Sequence, residues 1–246
     1  MHVSKDGEIA TVTFSRGKVN ALNEPMLEEL NKSFEDLAMD NEVKAIIFTG
    51  SGKFFSFGFD VPEFLNYSKS DFVGYLEKFT NFYTYLFLYP KPIVAALNGH
   101  TIAGGCMLAT ACDYRLMVSG KAKISLNEIT FGSSVIAGSV EMLRFCAGSR
   151  NAQSILYSGA MYSAEEALAL RLVDQVSSEA TLVEDARMVA LEFTQKDSSA
   201  FRSIKLLLRK PVAERMIKTE KDSILEFADI WYSEKTWQQL KKIKIH

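Results

Sequence analysis

Apolar and polar residues alternate from Ile9 to Phe14, with Ile9, Thr11 and Thr13 on one side and Ala10, Val12 and Phe14 on the other. A period of two is the spacing of a strand, whose side chains point to opposite faces in turn. The period then changes. From Asn23 to Met39, apolar residues stand at Met26, Leu27, Leu30, Phe34 and Leu37, the spacing of one helix face. Asn23 predicts the N-cap, and Pro25 falls in the first turn, where a missing N–H costs nothing. Val43 to Thr49 is a short apolar run closed by Gly50-Ser51-Gly52, which predicts a buried strand ending in a loop. Ile93 to Leu97, closed by Asn98-Gly99, predicts a second, and Tyr114 to Val118 a third. Between the first two, Asp71 to Leu88 is rich in Phe and Tyr and predicts a helix.

Strand, loop, helix and strand recur in that order, which predicts an α/β fold with several β-β-α turns. No fixed-period sequence repeat accompanies it. After Gly132 the pattern turns helical. Ser163-Ala164-Glu165-Glu166 is a capping box, and Ala180 to Phe193 predicts a further helix. From Asp197 onward the pattern is helical, with no clear strand. The chain thus divides into an α/β core over residues 1–195 and a C-terminal helical region over 196–246, with linker-like composition only around Gln195 to Ser199.

Composition narrows the function. The 246 residues are 48% hydrophobic and 24% charged, the profile of a globular protein. With 28 basic and 30 acidic residues, there is no excess charge to neutralise a phosphate backbone, which argues against nucleic acid as the main partner. The basic C-terminal residues Lys235, Lys241, Lys242 and Lys244, near Trp237, are read as a solvated helix end rather than an RNA site. Cys106, Cys112 and Cys146 are too few and too scattered for a disulfide framework. Of the three histidines, His2 and His246 lie at the termini and only His100 is internal, so no metal site is expected. No signal segment opens the sequence, no apolar run reaches the roughly 18 residues of a membrane span, and Lys244-Ile245-His246 is not a peroxisomal tail. A cytoplasmic protein without membrane partners is the expectation.

Two glycine-bearing loops carry the candidate chemistry: Gly52-Lys53-Phe54-Phe55-Ser56-Phe57-Gly58-Phe59-Asp60 and Asn98-Gly99-His100-Thr101-Ile102-Ala103-Gly104-Gly105-Cys106. Each follows a predicted buried strand. Glycine lets the backbone approach a ligand and leaves N–H groups free to point at it. Two such groups converging on one oxygen make an oxyanion hole, where one donor is worth about 3–4 kcal/mol. Taken singly, either loop reads more readily as an ordinary turn. Neither matches GxxxxGK[ST] or GxGxxG. A third element, Ile124 to Gly132, places the acid Glu128 in apolar surroundings, where desolvation raises a carboxyl pKa toward that of a general base. Asp113 and Arg115, two apart on a predicted strand, read as a structural ion pair.

Together these segments resemble the enoyl-CoA hydratase/isomerase (crotonase) family. Asn98 to Cys106 and on through Ala111-Cys112-Asp113-Tyr114-Arg115 resembles its signature; Phe55-Ser56-Phe57-Gly58-Phe59-Asp60-Val61 resembles its FSxGxDL-like motif. Lys18-Val19-Asn20-Ala21-Leu22-Asn23 resembles its NALN segment. The resemblance implies a crotonase-like spiral of β-β-α turns with a helical C-terminal region. It also implies an acyl-CoA thioester substrate with no separate cofactor, and a homotrimer or dimer of trimers. By the same resemblance the amides of Phe59 and Gly104 hold the thioester oxygen. Val19, Ala21, Phe57, Gly58, Asp60 and Val61 hold the coenzyme A end, Lys18 its phosphates, and Ala103, Gly105 and Met107 border the substrate.

The family's hydratases hold a water between two glutamates. The second position is Glu128; the first is Met107, a thioether that carries no proton. One oxyanion hole with one carboxylate resembles the enoyl-CoA isomerases. Phe57, Phe59, Ile102 and Ile136 are expected apolar walls, and Asn66 to Asp71 with the following helix is expected to shape the acyl pocket. The alternatives are another reaction of the family (hydratase, decarboxylase or thioester hydrolase, with Glu141 as a displaced acid) and a non-catalytic acyl-CoA-binding protein.

Overall fold

The computed structural model describes residues 1–245; His246, and the tail reading that includes it, lie outside the described residues. In chain order the strands are β1 (His2–Asp6), β2 (Ile9–Phe14), β3 (Ala45–Gly50), β4 (Phe54–Ser56), β5 (Ile93–Leu97), β6 (His100–Ile102), β7 (Tyr114–Val118), β8 (Ile124–Ser125) and β9 (Gln175–Ser177). The helices are α1 (Glu24–Met39), α2 (Val61–Phe64), α3 (Lys69–Phe87), α4 (Gly104–Ala111), α5 (Ala137–Ala147), α6 (Ser149–Ser158), α7 (Ala164–Ala169), α8 (Leu182–Thr194), α9 (Ser198–Trp231) and α10 (Glu234–Leu240), with a 3-10 turn at Glu128–Phe131.

The strands form two sheets, one in the order β1-β2-β3-β5-β7-β9 and one in the order β4-β6-β8. All pairs are parallel except β1 with β2. The spiral follows from this division. β3, β5 and β7 lie in the large sheet, and each is followed by a short strand of the small sheet, β4, β6 and β8, before the chain turns helical. This is the expected crotonase-like α/β spiral, and its C-terminal region is helical.

The central strands are apolar along their length because they are covered on both faces. All five residues of β5 are buried. Helix α1 buries Met26, Leu27, Leu30, Phe34 and Leu37, the residues whose spacing predicted it, and Asn23 accepts from the Met26 amide as its N-cap. Ser68 caps α3, which starts two residues before the expected Asp71. The core beneath the site is aromatic: Phe14 packs on Phe48 at 5.1 Å and edge-on to Phe55 at 5.2 Å.

Three features differ from the sequence reading. β1 is exposed throughout and shows no apolar period; backbone pairing with β2 alone makes it a strand. β4, β6, β8 and β9 are two or three residues long, too short for a period to register, and β9 interrupts the expected run of helices after Gly132. Asp113 and Arg115 do not pair with each other. Arg115 meets Asp174 at 2.6 Å, whereas Asp113 meets Lys205 at 2.7 Å and Arg209 at 3.1 Å, both from α9. Opposite charges from distant segments stand nearer than the local partner. Among the described residues, no helix is long and apolar enough to cross a membrane.

Candidate active site

Each strand of the small sheet delivers one candidate group at its C-terminal end: β4 runs into Phe59, β6 into Gly104 and β8 into Glu128. The sheet's register fixes their relation, with Ile102 opposite Ser125 and the Ala103 amide donating to the Ser125 carbonyl at 2.8 Å. The first loop is pinned from the other side. The Phe57 amide donates to the Val19 carbonyl at 2.9 Å, and the Leu22 amide to the Gly58 carbonyl at 2.7 Å. Asn20, buried and at φ 51°, binds the carbonyls of Ser51 and Phe54 through its amide nitrogen, both at 2.8 Å. The asparagine of the NALN segment is thus a clasp for the loop it faces.

The Phe59 and Gly104 amides have no acceptor among the described residues. Gly58, at φ 91°, sits against the second loop: a Cβ there would stand 3.0 Å from the Gly104 nitrogen and 2.9 Å from the Ile102 carbonyl. Only glycine takes this φ without strain and lets the two loops touch. Ala103 adopts φ 50° and ψ −118°, a region costly for a residue with a Cβ. It precedes the first turn of α4, so the free Gly104 amide is also at the positive end of a helix. Gly105 packs instead: its Cβ would meet the Ser56 carbonyl at 2.7 Å, so it brings α4 onto β4.

Glu128 is 4% exposed. Burial pushes its carboxyl up to about 8, and Oε2 has no hydrogen-bond partner. It opens the 3-10 turn, which Gly132 ends at φ 82°. The Thr236 hydroxyl, from α10, donates to the Gly132 carbonyl at 2.7 Å and ties the turn to the C-terminal region. Among the described residues, Glu128 is the one ionisable side chain lining a cavity of about 200 Å³, which Phe59, Val61, Ala103, Phe131, Phe227 and Trp231 also line.

Phe57 and Ile102 line this cavity as expected, with Asn127 and Ile243. Ile136 does not; it is buried elsewhere. Neither the loop 66–71 nor the helix after it, α3, reaches the wall; α9 lines it with Phe227 and Trp231. Sequence reasoning missed these two and Ile243. Their signal, large apolar residues late in a helical region, is that of ordinary packing. Met107 is 1% exposed in α4, every residue of which is buried, and it is off the wall. Asp60 is off the wall too: its carboxylate pairs with Arg16 at 2.5 Å and caps α2, and its amide donates to Leu22. Ala21 is buried, its carbonyl accepting from Arg16. Glu141 pairs with Arg144 and Arg215, away from this cavity.

Lys18 and Val19 line a separate cleft of about 500 Å³ with Gly17, Ser51, Gly52, Lys53 and Phe54. Lys53, unassigned from sequence, adds a second cation beside Lys18; its signal was a basic residue next to a loop glycine. The Val19–Phe57 backbone bond joins this cleft to the acid-bearing cavity. A larger cleft of about 580 Å³ behind the Glu128 turn, lined by Leu126, Ile129, Ser133 and Arg144 among others, holds none of the three groups.

The comparisons converge on one family. The crystal structure of human mitochondrial delta3-delta2-enoyl-CoA isomerase matches with a TM-score of 0.92 over 98% of this chain and 95% of that one, at 28% identity. The mitochondrial enoyl-CoA delta isomerase 1 of Rattus norvegicus is 32% identical over 230 residues, covering 92% of this chain and 79% of that protein. A probable enoyl-CoA hydratase of Bacillus subtilis (strain 168) is 33% identical over 206 residues, covering 82% and 79%. The family profile described as enoyl-CoA hydratase/isomerase matches residues 4–237, and over that span the chain belongs to the enoyl-CoA hydratase/isomerase family.

Proposed function

We propose that this protein is an enoyl-CoA isomerase that moves a β,γ double bond of an acyl-CoA thioester into the α,β position, with Glu128 as the proton shuttle. The observation that carries this reading is the cavity wall, where Glu128 is the one ionisable side chain among the described residues; off that wall, Met107 stands at the position where the resemblance to hydratases implies a second acid. Hydration needs one group to activate water and another to protonate carbon. Isomerisation needs one base that takes a proton and returns it.

The ionised carboxylate takes a proton from the carbon next to the thioester. The electron pair moves into the carbonyl, giving a dienolate whose oxygen accepts from the Phe59 and Gly104 amides. The protonated acid then delivers the same proton to the γ-carbon, and the double bond ends conjugated. The apolar wall strengthens both amide contacts and keeps the proton from water. Coenzyme A enters only as part of the substrate, with Lys18 and Lys53 meeting its phosphates and the backbone near Val19 its pantetheine end. Assembly as a homotrimer or dimer of trimers belongs to the same reading, and sedimentation analysis checks it.

The test is to mix the protein with 3-hexenoyl-CoA and follow conjugation by ultraviolet absorbance, with Glu128→Gln alongside. Conjugation by the wild type, lowered by a factor on the order of 10²–10⁴ in the variant and not followed by hydration, is expected. Full activity in Glu128→Gln overturns the role of the acid. Rapid hydration of 2-hexenoyl-CoA moves the assignment to hydratase.

A further inference from the structure

The reaction cavity has a size as well as a polarity. Its volume is about 200 Å³. At about 30 Å³ for a group the size of a water molecule, that is room for about six or seven such groups. If a proton passes from C2 to C4, then C1 to C4 and the thioester oxygen must lie between Glu128 and Phe59 on its wall and Gly104, next to the wall residue Ala103. Space remains for about two more carbons.

The side facing the loops is a rigid wall. Trp231 is 2% exposed and packs on Phe72 at 4.7 Å between ring centroids and on Phe227 at 5.8 Å. Phe72 in turn packs edge-on to Phe59 at 6.5 Å, so the wall and the oxyanion loop share one aromatic cluster. The helix that carries Trp231 is fixed farther back by Lys205 and Arg209 on Asp113. A longer chain that runs toward this wall would have to displace a packed indole, not a mobile side chain.

We infer that the enzyme acts on short acyl chains, of about four to six carbons, and that Trp231 is the specificity-determining residue that closes the cavity to longer ones. The inference rests on the isomerase reading for the placement of C1 to C4. It can be tested apart from the chemistry, with saturated acyl-CoA thioesters that have no double bond to move.

Affinities of butanoyl-, hexanoyl-, octanoyl- and decanoyl-CoA are measured by titration calorimetry on the wild type, Trp231→Ala and Trp231→Leu. Each methylene that becomes buried is worth roughly fourfold in affinity. Wild-type affinity is expected to rise from butanoyl to hexanoyl and then to fall by about tenfold or more by decanoyl. Trp231→Ala is expected to reverse the hexanoyl-to-decanoyl preference, and Trp231→Leu, which keeps an apolar core filler should the alanine variant not fold, to flatten it. Decanoyl-CoA bound by the wild type as tightly as hexanoyl-CoA, or a preference unmoved in a folded Trp231 variant, overturns the proposal. A length cut-off with no conjugation of 3-hexenoyl-CoA would sink the isomerase reading alone; conjugation without a cut-off would sink this one alone.

Discussion

The Ala103 amide donates to the Ser125 carbonyl, and that bond, continuing the β6–β8 pairing, joins the loop that frees the Gly104 amide to the strand that delivers Glu128. Ala103 is held at φ 50°, which a residue with a Cβ does not take unaided. Its neighbours impose it: β6 fixes the chain before it and α4 the chain after it. The result is a peptide whose N–H is unused by the fold and left for a ligand. Packing thus maintains a local conformation that propensity alone would lose.

The close approach of the two loops depends on Gly58. Gly58→Ala would place a methyl 3.0 Å from the Gly104 nitrogen at a backbone φ of 91°. The loops must part or the carbon must take a strained angle. Loss of stability by about 1–3 kcal/mol is expected, since alanine at positive φ costs more than the usual glycine difference. A fall in kcat of about 10²-fold is expected as one amide leaves the oxyanion position. The decisive comparison is kcat against KM: a variant with normal kcat and raised KM would mean that the loops bind substrate without holding the dienolate.

On the proposed role of Glu128, its raised pKa sets the pH at which the enzyme works. Only the ionised form can take a proton, and burial keeps the free enzyme protonated until about pH 8. kcat/KM should therefore rise about tenfold per unit from pH 6 toward 8 and level off above it. Conjugation rates at low substrate concentration, from pH 6 to 9, show this directly. A profile flat across that range would mean that Glu128 is ionised throughout, or is not the base.

The same shift has a price in stability. The folded-state pKa lies above the unfolded value, so between about pH 4.5 and 8 the folded protein holds a proton that the unfolded chain releases. Stability from this group is complete below the unfolded pKa and is lost as pH rises through the folded one. Glu128→Gln cannot release the proton. It should be more stable than the wild type by an amount that grows from about pH 4.5 to 8 and then stays constant, on the order of 3–5 kcal/mol. Denaturant midpoints of both proteins at pH 5 and pH 8.5 give the comparison. Equal differences at the two pH values would show the carboxyl to be solvated in the folded protein.

The long elements of this fold are legible in the sequence because they carry a period. Met26 to Leu37 repeats on one helix face, and Ile93 to Leu97 is an unbroken buried run; both lie where the pattern puts them. The small sheet is not legible by period, since Ile124-Ser125 is two residues long. The candidate groups it carries are marked in the sequence by the family resemblance of the glycine loops and of the Glu128 segment, not by the strands. The opposite wall was hidden for another reason. Phe227 and Trp231 lie about a hundred residues beyond Glu128 and read as core packing, which they also perform against Phe72. Nothing local separates a residue that packs from one that packs beside a cavity. Asp113 shows the same limit, because its partners on α9 are more than ninety residues away.

Those partners make a final prediction about how the wall is held. Asp113 accepts from the Ile93 amide at 2.8 Å and compensates two cations whose side chains are 4% and 6% exposed, Lys205 and Arg209. Arg209 also donates to the carbonyls of Phe87, Ala111 and Cys112. Asp113→Ala leaves both charges buried without their acid, a loss of about 3–5 kcal/mol. The loss should depend on pH. Burial already draws Lys205 down to about 8, and removing the acid takes away an interaction that raises it. Above that pH the lysine sheds its proton, and only Arg209 remains uncompensated. The deficit of Asp113→Ala relative to wild type should therefore be larger at pH 7 than at pH 9.5, by urea denaturation. A deficit equal at both pH values would mean that Lys205 is neutral in the fold already, and that Asp113 acts mainly through Arg209 and the Ile93 amide.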